Sequence, residues 1–177
     1  MIIDFSVKAK PSNKKAKYVF VFGIILGFAF FAASGFVPLY HGLVGLVSLV
    51  FFIVALTVYT KYISPVYYYD IFTDSDGTPL FIVRQVVGKR ASTLCRIGLA
   101  EVMKLERENR ETRRKHKTPS DHQRFSYLPT LDPTVSYRMI TRSRYERAEI
   151  LLEISDEMAE KIREYSALAR ELNVYDD

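Results

Sequence analysis

Between Tyr18 and Thr60 the chain runs 43 residues without an Asp, Glu, Lys or Arg. One turn-like stretch, Ser34-Gly35-Phe36-Val37-Pro38-Leu39-Tyr40-His41-Gly42, interrupts it near the middle. Each half is about 19 residues, which as a helix at ~1.5 Å per residue reaches ~28 Å, close to the ~30 Å hydrocarbon thickness of a bilayer. The pattern predicts a transmembrane α-hairpin of two helices over residues 18–62. Apolar spans without ionisable groups suit an anchor better than a channel or pump, which need intramembrane charge. Gly23 and Gly27 form a GxxxG, followed at similar spacing by Ala29, Ala33, Gly42 and Gly45. Small residues so placed let helices approach closely, and Gly23 and Gly27 are the candidate packing positions, within the hairpin or between protomers.

The formal net charge of +5 is unevenly spread. Residues 1–17 carry five Lys against Asp4, Lys61 follows the second span, and residues 64–177 hold 19 basic and 19 acidic side chains. Lys and Arg beside a span resist translocation, so both flanks belong on the inner side. The expected arrangement is a basic cytoplasmic tail at 1–17, the hairpin, and a cytoplasmic domain at 64–177, in a cell inner (plasma) membrane with both termini cytoplasmic. A secretory signal ending at Ala32-Ala33-Ser34 is the rival reading, although the first apolar run is long for one and a second follows at once. The single Cys95 excludes an intramolecular disulfide and reads as a small buried residue.

In the domain, Val66–Phe72 and Leu80–Val86 have strand composition around the turn Asp74-Ser75-Asp76-Gly77, which makes a β-hairpin. A second turn at Val87-Gly88-Lys89-Arg90 leads into Ser92–Ile97. Ala100–Arg107 alternates apolar and charged residues as a strand with one wet face does, and a short helix fits the same residues. Asn109–Arg124 is polar and reads as a loop; Val135–Thr141 and Arg147–Ile154 read as strands around Ser143–Glu146. From Ser155 the period changes. Ser155 can cap, Asp156 and Glu157 suit a first turn, and Met158, Ile162, Tyr165, Ala169 and Leu172 recur at three- and four-residue steps, the mark of an amphipathic helix.

Six or seven strands closed by one helix resemble a pleckstrin-homology-like domain, and the whole chain resembles bacterial PH-like membrane proteins that hang such a domain from a two-span hairpin. The resemblance rests on Tyr67–Phe72, Leu80–Val86, Gly88-Lys89-Arg90, Ser92–Ile97, Ala100–Leu105 and Arg147–Ile154 running into Ser155–Leu172, and covers most of 64–172. It implies an α+β fold, an antiparallel β-sandwich or barrel with a C-terminal amphipathic helix. Phosphoinositide-binding members carry basic residues on the first strands and the loop joining them. Taken as that loop, Thr73–Gly77 is acidic, which argues against inositol phosphate binding.

Residues 104–117 hold seven basic side chains against three Glu. Arg110, Arg113, Arg114, Lys115 and Lys117 are therefore the candidate surface for anionic lipid or an acidic partner. Residues 149–177 are acidic, nine against three, and would orient the domain if they faced away from the membrane. His116, His122 and Asp121 fall short of a metal set, and neither a nucleophile elbow nor a P-loop is present. The stretch lacks interleaved aromatics for nucleic acid. Together these features predict a non-enzymatic adaptor module without cofactor, metal or small-molecule substrate, whose partners are the bilayer and a membrane protein or a second copy. The alternative is an accessory subunit or regulator of a membrane transport or stress-response complex.

Overall fold

The computed structural model describes residues 2–9, 11, 13–37, 40–142 and 147–174. They divide into two units, residues 11–65 and residues 1–10 with 66–177.

The first unit is a helical hairpin. Helix α1 (Lys14–Ser34) and helix α2 (His41–Val58) pack together, and α2 runs on through a π-helical turn at Tyr59–Ile63. With that extension the two helices are 21 and 23 residues, long and apolar enough to cross a membrane. Gly23 and Gly27 form the seam on α1. A Cβ on Gly23 would meet the Ala55 methyl at 3.2 Å, and one on Gly27 would strike the Phe52 ring at 2.9 Å. Ser48, buried on α2, donates to the Gly27 carbonyl at 2.8 Å, which the missing side chain permits. Phe30 stacks on Phe51 and Phe28 meets Phe52 edge-on. Ala29, Ala33, Gly42 and Gly45 take no part: the alanines are exposed, and Cβ atoms on the two glycines would meet nothing within 4 Å. Phe22, Phe31 and Leu43 point outward, more than half exposed.

The second unit contains two four-stranded sheets and a helix. The first sheet is antiparallel, in the order β1 (Ile2–Lys8), β2 (Val66–Thr73), β3 (Pro79–Val87), β4 (Arg90–Gly98). Strand β1 was not legible in the sequence, where its residues read as part of the tail. It pairs along β2 from Ile2 opposite Thr73 to Lys8 opposite Tyr68, and the Ala9 N–H donates to the Tyr67 carbonyl. Phe5 and Val7 pack against the core. The hairpin is thus inserted between two neighbouring strands. The acidic turn Asp74–Gly77, with Gly77 at φ +82°, joins β2 to β3 and not the first two strands. That removes the reason given above against an anion site between them.

A 3-10 turn at Leu99–Glu101 leads to the second sheet, in the order β5 (Val102–Asn109), β7 (Val135–Arg142), β8 (Arg147–Leu152), β6 (His122–Tyr127). Here β6 runs parallel to β8, so the sheet is mixed. The described residues form eight strands in two sheets without a closed barrel, against the six or seven antiparallel strands expected. The stretch 109–124, expected as a loop, holds a short helix α3 (Arg110–Lys115) and the start of β6. Strand β6 is an edge with mostly exposed side chains, so it carries no apolar alternation. Ser143–Glu146, expected as a turn, lies outside the described residues.

Tyr69, Ile71, Phe81 and Val83 from the first sheet meet Met139, Ile150 and Leu152 from the second in one core. Helix α4 (Asp156–Val174) adds Met158, Ile162 and Ala169. Ser155 caps it by accepting the Met158 N–H at 3.2 Å. Each large apolar side chain buried this way contributes about 1.5–3 kcal/mol, the main force holding the sheets together.

Candidate functional site

The basic segment is bound to the sheet beneath it. On α3, Arg113 is only 10 % exposed and donates to Ser136 Oγ, the Pro133 carbonyl and Asp132. Arg110 pairs with the same Asp132, and Arg114 lies 3.6 Å from it. One carboxylate therefore gathers three of the five cations expected to form an open surface. Arg113 serves the fold; the outer parts of Arg110 and Arg114, with exposed Lys115 and Lys117, remain on the surface.

Beyond α3 the chain crosses the outer face of the second sheet, where β5, β7 and β8 place Glu108, Arg138 and Glu149, each less than 10 % exposed. Alternate residues on these strands face the core (Leu105, Tyr137, Met139, Ile150), so the charged ones share the opposite face. Arg138 makes a close ion pair with Glu108 and lies 4.0 Å from Glu149. His116 joins the two ends: Nε2 is 3.0 Å from Glu149 Oε1, and Arg138 approaches the ring nitrogens at 2.6 Å. The tautomer that satisfies both has Nε2–H donating to Glu149 and Nδ1 accepting from Arg138. Thr118 adds a hydroxyl donated to Glu149 Oε2 at 2.9 Å. Burial alone would raise the Glu149 carboxyl. Hydrogen bonds from His116 and Thr118, with the charge of Arg138, outweigh it and hold the group below the usual carboxylate range.

His122, 10 % exposed on β6, brings Nδ1 to 3.7 Å from the same carboxylate. The two histidines dismissed as a metal pair do meet, yet on an acid already hydrogen-bonded and beside a guanidinium. Among the described residues no group of three His, Cys, Asp or Glu is placed to hold a metal. The arrangement is a clamp that fastens 110–118 over the sheet. Its parts Glu108, Arg138 and Glu149 were missed in the sequence because they occupy the polar phase of alternating strands.

A second buried ion pair lies on the outer face of the first sheet. Asp70 is fully buried, accepts from Ser6 Oγ and from Arg84 Nε, and the Arg84 guanidinium sits 5.8 Å from both the Tyr68 and Phe72 rings. Cys95 is half-buried, and burial pushes its thiol up, opposite to what a nucleophile needs; its neighbour Tyr127 is pushed up to about 12 for the same reason.

A groove of about 320 Å³ runs between α4 and the edge of β5, lined by Val102, Met103, Lys104, Leu105, Arg163 and Arg170. Its open strand edge is blunted: Arg163 donates to the Leu105 carbonyl, and Ser166 and Arg170 to that of Val102. The acids at the start of α4 and just before it are partly spent within the fold. Glu153 accepts from the Thr130 N–H and hydroxyl, Asp156 from the Tyr137 hydroxyl, and Glu157 lines a cleft with Lys8.

No protein-family model matches the sequence. Neither a curated protein nor a solved structure is similar to it.

Proposed function

We propose that this protein is a membrane-anchored, non-catalytic interaction module of PH-like type, held at the cytoplasmic face of a plasma membrane by its two-helix hairpin. The observation that carries the proposal is the pairing of β1 with β2. The segments entering and leaving the hairpin are neighbours in one sheet, so a hairpin that crosses the bilayer returns to the side it left. The lysines of both flanks support reading that side as the inner one. The PH-like assignment is supported by two sheets over one core with a final amphipathic helix; the parallel edge strand β6 departs from it.

An adaptor of this kind works by position. Its hairpin fixes the address, and the domain presents surfaces to a membrane protein or a second copy. Purification of the full chain in mild detergent, followed by mass determination, tests the reading. A homomer or a weakly associated partner is expected. A stoichiometric set of transport subunits would favour the accessory-subunit reading, and turnover of a substrate by the purified chain would refute the non-catalytic one.

A further inference from the structure

Two surfaces of opposite charge lie on separate elements of the second unit. The first is the outward ridge of α4. At about 100° per residue, Glu157, Glu160, Glu164 and Glu171 fall within about 60° of one another around the helix, with Leu168 beside them. All five are exposed, Leu168 to 48 %, because Met158, Ile162, Ser166 and Ala169 take the opposite side into the fold. Lys161 pairs with Glu164 at 2.7 Å, while Arg163 and Arg170 turn to the β5 carbonyls, so acids outnumber bases along the ridge.

The second surface is the segment over the outer face of the second sheet. Residues 112–120 contain no Asp or Glu, and Arg114, Lys115 and Lys117 are exposed. Arg113, bound to Asp132 and Ser136, and His116 and Thr118, bound to Glu149, hold the backbone that carries them. The cations are thus presented on a fixed segment, which lowers the ordering cost of a contact. Among the described residues no ion pair joins this segment to α4, so within one copy neither surface neutralises the other. Every copy carries both surfaces. A two-fold pair would seat each segment on the other copy's ridge, so that every contact occurs twice.

We propose that two copies of this chain associate through reciprocal contact of Arg114, Lys115 and Lys117 with Glu160, Glu164 and Glu171, Leu168 packing on the aliphatic stems of the lysines. The inference rests on the reading of the chain as an anchored interaction module and names a second copy as its partner. An exposed ion pair favours association only about threefold, but a reciprocal contact repeats each pair, and anchoring both copies in one bilayer raises their effective concentration.

The test uses full chains with Cys95→Ser and Ser75→Cys, labelled in the exposed turn with donor or acceptor fluorophore and co-reconstituted at low density into neutral phosphatidylcholine vesicles. Energy transfer is expected between copies of native charge, falling several-fold in vesicles formed in about 1 M salt. Reversing the segment (Arg114→Glu/Lys115→Glu/Lys117→Glu) or the ridge (Glu160→Lys/Glu164→Lys/Glu171→Lys) should lower transfer as far, since like charges then face each other, with near-ultraviolet circular dichroism unchanged. Mixing the two variants should restore transfer, because each segment again meets a ridge of opposite sign, and a chain carrying all six reversals should pair with itself. Transfer that ignores salt and both reversals would overturn the proposal. So would no transfer between copies of native charge, or no restoration in either the mixture or the sixfold variant. Chains of native charge that fail to float with the vesicles in a density gradient would instead refute the anchored reading, a result separate from the transfer that decides the contact.

Discussion

Replacing Arg138 by Met should be among the costliest single changes in the domain. Arg138 is 7 % exposed and is the cation between Glu108 and Glu149, both 2 % exposed. Met fills similar volume but leaves two buried carboxylates without that charge. Breaking a buried pair from one side costs about 3–5 kcal/mol, because the remaining ion keeps its desolvation penalty. For a domain of this size that is a fall in melting temperature of about 10–20 °C. The full chain in detergent can be followed by tyrosine near-ultraviolet circular dichroism. Lys104→Met is the control: Lys104 is 61 % exposed, pairs with half-exposed Glu106, and should cost about 0–1 kcal/mol. Adding Glu108→Leu to Arg138→Met should recover part of the loss, since it removes one of the two stranded carboxylates, while Glu149 keeps its hydrogen bonds to His116 and Thr118. A cost below about 1 kcal/mol for Arg138→Met, or a double variant worse than the single, would refute a buried clamp.

Three further outcomes follow from particular contacts. Gly27→Leu should destabilise the hairpin by about 1–3 kcal/mol, because its side chain meets the Phe52 ring; Gly45→Ala, in open space, should change little, and thermal aggregation in detergent distinguishes them. A fragment of residues 64–177 should unfold more readily than one in which residues 1–9 are joined to 66–177 by a short linker, since the first lacks β1; equal urea midpoints would contradict the pairing. The Glu149 carboxyl lies below its ordinary value, so its stabilisation is full above about pH 4.3 and is lost as pH falls through its lowered value. The stability difference between the parent chain and Glu149→Gln should therefore be flat from neutral pH to about 5 and shrink under further acidification, and growth on acidification would contradict the clamp.

The elements visible in the sequence were those whose signal is local. A charge-free run specifies apolar helices, β-branched and aromatic composition around a turn marks β2 and β3, alternation of apolar and charged residues marks β5, and Ser155 with the spacing of Met158 and Ile162 marks α4. Strand β1 has a short pattern broken by Asp4, and its partner residues lie 60 or more positions away beyond the hairpin. Strand β6 is polar because it is an edge, and its parallel pairing to β8 is a tertiary fact. The candidate surface at 110–117 was legible as charge but not as geometry. Asp132 and Ser136, which turn Arg113 inward, give no sign in sequence that they lie beneath it. Nothing in the sequence shows that His116 and Thr118 lie over Glu149, or that Glu108 and Arg138 pair beside it. The Gly23 and Gly27 seam was readable from spacing, and only the structure assigns it to contact between α1 and α2.

A hairpin that crosses a membrane from the inner side would hold β1 and β2 together on that side. Membrane-impermeant maleimide labelling of single-cysteine full-length variants on a Cys95→Ser background, in intact and permeabilised bacterial cells, tests it directly. Phe36→Cys, in the 85 % exposed turn between the helices, should label in intact cells, whereas Ile3→Cys and Ser75→Cys should label only after permeabilisation. Labelling of positions 3 and 75 from opposite sides, or of position 75 from outside with position 36 protected, would contradict it.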